Sequence, residues 1–135
     1  MAWHPPEVGA GRFGSWLENN IDWAISRDRF WGTPLPVWVN DADPSEVEVI
    51  GSYAELAARV GRPLPDDFDP HKPHIDGYTW PAPSGTGTMR RVPEVIDTWF
   101  DSGSMPFAQW GYPHRPGSAE QVARYFPADF IASSE

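Results

Sequence analysis

The sequence predicts an α/β protein made of short elements joined by long loops, and three observations carry that reading. An apolar run, Val92, Val95 and Ile96, leads into Trp99-Phe100 flanked by Asp97 and Asp101, and then into the polar stretch Ser102-Gly103-Ser104. A buried strand entering a glycine-containing turn is how α/β sheets bring side chains to the rim of a ligand crevice. Short β-branched runs alternate with capped amphipathic segments. Sixteen Pro and 12 Gly among 135 residues disfavour long helices. This length supports a single domain with a modest core.

Taken in order, Phe13, Trp16, Leu17, Ile21, Ala24 and Ile25 fall at helical spacings. Arg12 to Arg27 is therefore predicted to bury one face, with Asn19-Asn20 dividing it into two short helices. Phe30-Trp31-Gly32-Thr33-Pro34-Leu35-Pro36 must be extended, because its two prolines exclude a helix. Val37-Trp38-Val39 and Val47-Glu48-Val49-Ile50 read as antiparallel strands joined by Asn40-Asp41-Ala42-Asp43-Pro44. Ser52-Tyr53-Ala54-Glu55 is a capping box ahead of Leu56, Ala57 and Val60, with Gly61 as the stop, so a helix is expected from Tyr53 to Val60. Arg62 to Pro83 is rich in proline and aspartate and is expected to be an irregular excursion with no core of its own. Ser84 to Gly87 turns the chain into a strand from Thr88 to Val92. Ser118-Ala119-Glu120-Gln121 starts a last helix, carried by Val122, Tyr125 and Phe126 and stopped by Pro127. Asp129-Phe130-Ile131-Ala132 reads as a short buried strand.

Eight Trp in so short a chain predict burial that leans on indoles. A net charge of −9 with one lysine, Lys72, argues against indiscriminate binding of phosphate backbones. The absence of cysteine excludes disulfides and thiolate metal sites. No run of about 18 apolar residues is present, and the first residues lack the pattern of a signal peptide, so a soluble cytoplasmic protein is expected.

Several side chains are candidates for chemistry. Trp99 offers a large rigid apolar face with one donor and suits a pocket wall; the same pattern also fits Trp99 and Phe100 as core aromatics with Asp101 capping a turn. Asp97 and Asp101 share a side if their segment is helical, which admits acid/base work as well as capping. Arg27 and Arg29 can meet phosphate or carboxylate. Arg90 and Arg91 point to opposite faces of a strand, so at most one serves a site. His71 and His74, near Asp66, Asp67 and Asp69, are a conceivable metal cluster, but Pro70 and Pro73 deny it helical ligand geometry.

Three stretches together resemble the isoleucyl-tRNA synthetases of class I. They are Asn20 to Pro36 (NIDWAISRDRFWGTPLP), Gly87 to Gly103 (GTMRRVPEVIDTWFDSG) and Phe126 to Ala132 (FPADFIA), in the family's order. The resemblance reaches from about Trp3 to Ala132. It implies a partial nucleotide-binding, Rossmann-like class I synthetase fold with a small α+β connective insertion. Residues 1–36 would connect an editing insertion back to the catalytic domain, 37–91 would be the small insertion with a degenerate zinc-knuckle region, and 92–135 would be part of the catalytic fold. The implied activity is ATP-dependent activation of isoleucine as an adenylate and its transfer to tRNA, with Trp99 lining the pocket for the isoleucine side chain.

Departures from the family pattern are equally informative. No His-x-Gly-His and no Lys-Met-Ser-Lys occurs, and Ser133 stands where an acidic residue is expected. The chain therefore reads as an internal fragment with an incomplete ATP site, inactive alone, with exposed strand edges that invite self-association. Many relatives carry two Cys-x-x-Cys knuckles; the matching positions here are Asn40 and Asp43, and Ala82 and Gly85, so no structural zinc is expected. Two rival readings are a non-catalytic Trp/Pro-rich binding module and a decayed open reading frame.

Overall fold

The computed structural model describes residues 3–130. Two short helices, α1 (Pro6–Ala10) and α2 (Arg12–Glu18), are followed by an extended segment ending in β1 (Ser26–Arg27). Then come β2 (Val37–Asn40), β3 (Val47–Val49), α3 (Tyr53–Val60), a 3-10 turn (Ile75–Gly77), β4 (Trp80–Pro81) and β5 (Thr88–Arg91). β6 (Val95–Ile96), α4 (Thr98–Ala108) and α5 (Ser118–Tyr125) close the described chain. The result is a mixed α/β protein.

Four strands form an antiparallel sheet in the order β3-β2-β5-β4, with Trp38 opposite Glu48 on one side and Arg91 on the other. Alternation along β2 sends Trp38 and Asn40 inward while Val37 and Val39 are half-buried. Trp38 is 2% exposed, packs beside Trp80 with ring centroids 5.2 Å apart, and donates from Nε1 to the Tyr78 carbonyl at 2.7 Å. Ile50, Leu56, Ile75, Ala82 and Met89 complete this core. Helix α3 closes it from one side. Ser52 Oγ accepts from the Glu55 amide, the Glu55 carboxylate accepts from the Gly51 amide, and Gly61 in the left-handed region ends the helix.

A second, smaller sheet pairs β1 with β6, Ser26 opposite Ile96 and Arg27 opposite Val95. The segment through Pro34 runs along the other side of β6: the Ile96 amide donates to the Thr33 carbonyl at 2.7 Å and the Leu35 amide to the Glu94 carbonyl at 3.2 Å. Val95, 1% exposed, is thereby held between two neighbours.

Several expectations are corrected. Ile21 to Ile25 is extended and exposed rather than a second helix: Asn19 closes α2 by donating to the Ser15 carbonyl, and the Ile25 carbonyl accepts from the Asp97 amide of a distant segment. The Arg62–Pro83 excursion is not coreless: Ile75, Trp80 and Ala82 from it are buried, and Leu64, Phe68 and Tyr78 pack against them. Ser102-Gly103-Ser104 is no turn but lies within α4, where Ser104 Oγ bonds back to the Asp101 carbonyl. Indoles do not dominate burial either; Trp38 and Trp80 are core residues, whereas Trp16, Trp23, Trp31 and Trp99 are exposed. Asp129 and Phe130 are not in a strand and Phe130 is 85% exposed; the rest of that predicted strand, Ile131-Ala132, lies outside the described residues.

Candidate functional site

The site forms where β6 ends and α4 begins. Asp97 is the N-cap of α4: its backbone is extended, and its Oδ1 accepts from the Trp99 amide at 2.7 Å. An N-cap carboxylate satisfies a helix-start amide and stabilises the positive end of the helix. The other oxygen, Oδ2, lies 2.7 Å from Arg27 Nε across the β1–β6 pair. Arg27 also donates from Nη1 to the carbonyls of Ala24 and Ser26, and its guanidinium stands over Trp23 at 5.8 Å. The Asp97 side chain is only 9% exposed and that of Arg27 34%, so the carboxylate is lodged inside and the guanidinium reaches it from the rim.

One turn on, Asp101 accepts a hydrogen bond from Thr33 Oγ1 at 2.9 Å, tying α4 to the extended segment beside β6. Asp97 and Asp101 thus hold the helix start in place, each carboxylate engaged by a partner from the extended segment between α2 and β2. With the helix fixed at both points, Trp99 stands in its first turn with its side chain uncovered: the residue is 60% exposed, and Phe100 beside it 46%. They are not core aromatics, and Asp101 caps no turn. Arg29, the other arginine of this signature, engages through its backbone, its carbonyl accepting from Lys72 Nζ at 3.5 Å.

The remaining candidates fall elsewhere. Arg90 pairs with Asp41 at 2.9 Å on the outer face. Arg91 points inward and is 8% exposed; its Nη1 donates to the Glu94 carbonyl at 2.9 Å, while Nε and Nη2 both sit 2.7 Å from Asp76 Oδ1, the first aligned as a hydrogen bond and the second as an ion-pair contact only. Of the two arginines, the inward one is a structural tie between the 3-10 turn and β6. His71 Nδ1 is 2.7 Å from Asp69 Oδ1, His74 Nε2 3.9 Å from Oδ2, and the His71 ring stacks on Trp31 at 4.8 Å. Hydrogen bonds from the His71 amide and ring hold the Asp69 carboxyl below its ordinary range. Among the described residues no group of three or more His, Cys, Asp or Glu is placed to hold a metal ion.

The two turns matched to zinc knuckles do face each other, joined by hydrogen bonds. Asn40, 1% exposed, donates from Nδ2 to Glu46 Oε2 at 2.6 Å and to the Thr86 carbonyl at 2.9 Å, and its Oδ1 accepts from the Ala42 amide. Glu46 in turn accepts from Ser84 through both the amide and the hydroxyl, and these bonds lower its pKa. A Cβ on Gly87, where φ is 90°, would collide with Asn40 Oδ1, so this clasp requires glycine there.

Sequence reasoning missed the Arg27–Asp97 pair and the Thr33–Asp101 bond. The capping role of Asp97 was legible, since an aspartate before a helix whose first turn carries a second aspartate is a helix-start pattern, but no local pattern pointed to Arg27 or Thr33 as the partners.

Residues 1–134 match the profile of the class I tRNA synthetases (I, L, M and V), and the chain belongs to that family. Among curated proteins it is 57% identical over 132 residues to the isoleucine–tRNA ligase of Cutibacterium acnes, covering 98% of this chain. It is 56% identical over 131 residues to that of Thermus thermophilus (96% of this chain) and 50% over 137 residues to that of Deinococcus radiodurans (98%). The chain spans about 12% of the length of these relatives.

Proposed function

We propose that this chain supplies one wall of the isoleucine pocket in an isoleucine–tRNA ligase, an enzyme that joins isoleucine to ATP as an adenylate and passes it to tRNA. The observation that carries the proposal is Trp99: an indole 60% exposed, just past the carboxyl end of β6, on a helix start pinned by Arg27 and Thr33. A flat indole contacts a branched aliphatic chain without leaving polar groups unpaired, and rigid support is what a selective pocket wall needs. Residues 92–135 belong, in this reading, to a Rossmann-like nucleotide-binding fold, and residues 1–36 connect into it from an editing insertion. Residues 37–91 form the small connective insertion, which is supported by a core whose buried members, Trp38 to Met89, all fall within it.

ATP and tRNA enter as substrates of the whole enzyme. With neither a His-x-Gly-His nor a Lys-Met-Ser-Lys sequence, the 135-residue chain does not activate isoleucine alone. The exposed Trp23, Phe30, Trp31, Trp99 and Phe100 favour association with further polypeptide or with copies of itself.

The test is a chimera in which this segment replaces its counterpart in the Thermus thermophilus relative, assayed by ATP–pyrophosphate exchange. Trp99→Ala removes an apolar wall worth about 1–3 kcal/mol, so KM for isoleucine should rise roughly 5- to 160-fold. An unchanged KM overturns the assignment of Trp99, and isoleucine-dependent exchange by the isolated chain overturns its inactivity.

A further inference from the structure

At one end of the four-stranded sheet the chain makes two turns, Asn40 to Glu46 and Ala82 to Gly87. The β2–β5 pairing stops at Asn40 opposite Met89, followed by one more backbone bond from the Asp41 amide to the Thr88 carbonyl at 3.0 Å. Beyond it each backbone turns back on itself: the Asn40 amide donates to the Glu46 carbonyl at 3.0 Å, and the Ala82 amide to the Gly87 carbonyl at 3.2 Å. In relatives with two Cys-x-x-Cys knuckles, thiolates around a zinc ion would supply the joint between such turns.

The residues present do not fit that metal. Of the four matched positions, Ala82 and Gly85 carry no ligand atom, and the Asn40 amide is already bonded within the protein. Asp43 Oδ1 accepts from the Ser45 amide at 3.0 Å and from its hydroxyl at 2.7 Å. The neighbouring carboxylates are engaged by protein donors as well. Asp41 takes the Thr88 amide on Oδ1 at 2.8 Å and Arg90 Nε on Oδ2 at 2.9 Å. Glu46 takes the Ser84 amide on Oε1 at 3.0 Å, and on Oε2 both the Ser84 hydroxyl at 2.7 Å and Asn40 Nδ2 at 2.6 Å.

The centre of this arrangement is therefore an anion and not a cation. The Glu46 carboxylate stands on the first turn and gathers two donors from the second through Ser84, while Asn40, 1% exposed, reaches across to the Thr86 carbonyl. Neither Glu46 nor Ser84 is a matched knuckle position, so the joint is built from other side chains than the thiolate pattern uses. We propose that this clasp, with Glu46 as acceptor and Asn40 and Ser84 as donors, does the joining that a zinc ion would do, and that the two turns are held without metal. Hydrogen bonds to an ionised acceptor are the strong ones, and bonds that share one acceptor act as a unit. The proposal concerns neither Trp99 nor isoleucine binding, and its test depends on neither.

The test takes the full 135-residue chain through thermal melts before and after dialysis against EDTA and after addition of equimolar zinc chloride, with elemental analysis of the protein as purified. Neither treatment should move the midpoint. Hydrogen exchange at the Ser84 amide reads the clasp itself: Glu46→Ala should speed it at least about tenfold, and Glu46→Gln, which keeps an acceptor oxygen, by less. In denaturant melts the double variant Glu46→Ala/Ser84→Ala should lose markedly less stability than the sum of its singles. A midpoint that falls with EDTA or rises with zinc, about one zinc bound per chain, additive losses in the cycle, or unchanged Ser84 exchange in folded Glu46→Ala each overturn the proposal. If Glu46→Ala does not fold, Ser84→Ala is read at the Asn40 side-chain amide, and exchange there as slow as in the unaltered chain overturns it.

Discussion

Breaking the Arg27–Asp97 pair tests directly whether Trp99 is held in place by its surroundings. Asp97→Asn keeps an oxygen to cap the Trp99 amide but removes the charge; Arg27→Met keeps the stem but removes the guanidinium; Asp97→Ala removes cap and charge together. The cap alone is worth about 1 kcal/mol. The pair would carry about 4 kcal/mol of Coulomb attraction at an effective dielectric of 20. Burial of Asp97, 9% exposed at its side chain, offsets part of this, and Arg27, 34% exposed, is screened by solvent. A coupling of about 1–2 kcal/mol remains. Hence Asp97→Asn and Arg27→Met should each cost about 1–2 kcal/mol, Asp97→Ala about 2–3, and the double variant Arg27→Met/Asp97→Asn markedly less than the sum of its singles. Native-state hydrogen exchange is the assay, read at the Asp97 amide, which donates to the Ile25 carbonyl at 2.7 Å, and at the Trp99 amide. Additive effects within about 0.3 kcal/mol would show that the two side chains are neighbours without being coupled, and the support argued for Trp99 would fail.

Three further outcomes concern the four-stranded sheet and the loops around it. Asn40→Ala strands the partners of a buried amide and should lower unfolding free energy by about 2–3 kcal/mol in a denaturant melt; a loss below about 0.5 kcal/mol would mean that the two facing turns hold without it. Gly87→Ala forces a side chain into the left-handed region and onto Asn40, so it should destabilise more than Gly77→Ala, which meets open space at ordinary φ, when the two are melted side by side. Asp41, Glu46 and Asp69 all have carboxyls held below their ordinary pKa by hydrogen bonds, from Thr88 and Arg90, from Ser84 and Asn40, and from His71 respectively. Their folded pKa values lie below the unfolded ones, so their contribution is complete above the ordinary carboxylate range and is lost as pH falls through the depressed values. Thermal melts should therefore show a falling midpoint on acidification from neutral pH into that range, and a midpoint that rises on acidification would reverse the sign.

Local rules were enough where an element satisfies itself. The capping box at Ser52–Glu55 and the stop at Gly61 place α3 at Tyr53–Val60, and the alternation in Val37–Val39 gives β2 its inward face. They failed where a distant segment decides. Ile21, Ala24 and Ile25 have helical spacing, but the chain there is extended and leads into the pairing with β6, the Asp97 amide donating to the Ile25 carbonyl. Ile75 and Trp80 sit in a polar stretch and are buried only because β5 and α3 come to meet them. The same holds for the site: Trp99 could be singled out from one stretch of sequence, whereas the two contacts that hold its helix come from Arg27 and Thr33, 70 and 68 residues away from Asp97 and Asp101.

Because β2 and β5 are adjacent and antiparallel, the polypeptide enters the four-stranded sheet at Val37 and leaves it at Val92, whose amide donates back to the Val37 carbonyl at 2.9 Å. Everything between those points is a bud on a narrow stalk. The backbone pairing of Thr33–Leu35 with Glu94–Ile96 lies below that stalk and uses none of its residues. A shortened hinge joining Pro36 to Val92 would leave that lower pairing to stand or fall without the bud, and mechanical load applied at the tip would reach the Trp99 helix through the stalk, the Arg91 bond to the Glu94 carbonyl, and the Lys72 and His71 contacts beside it.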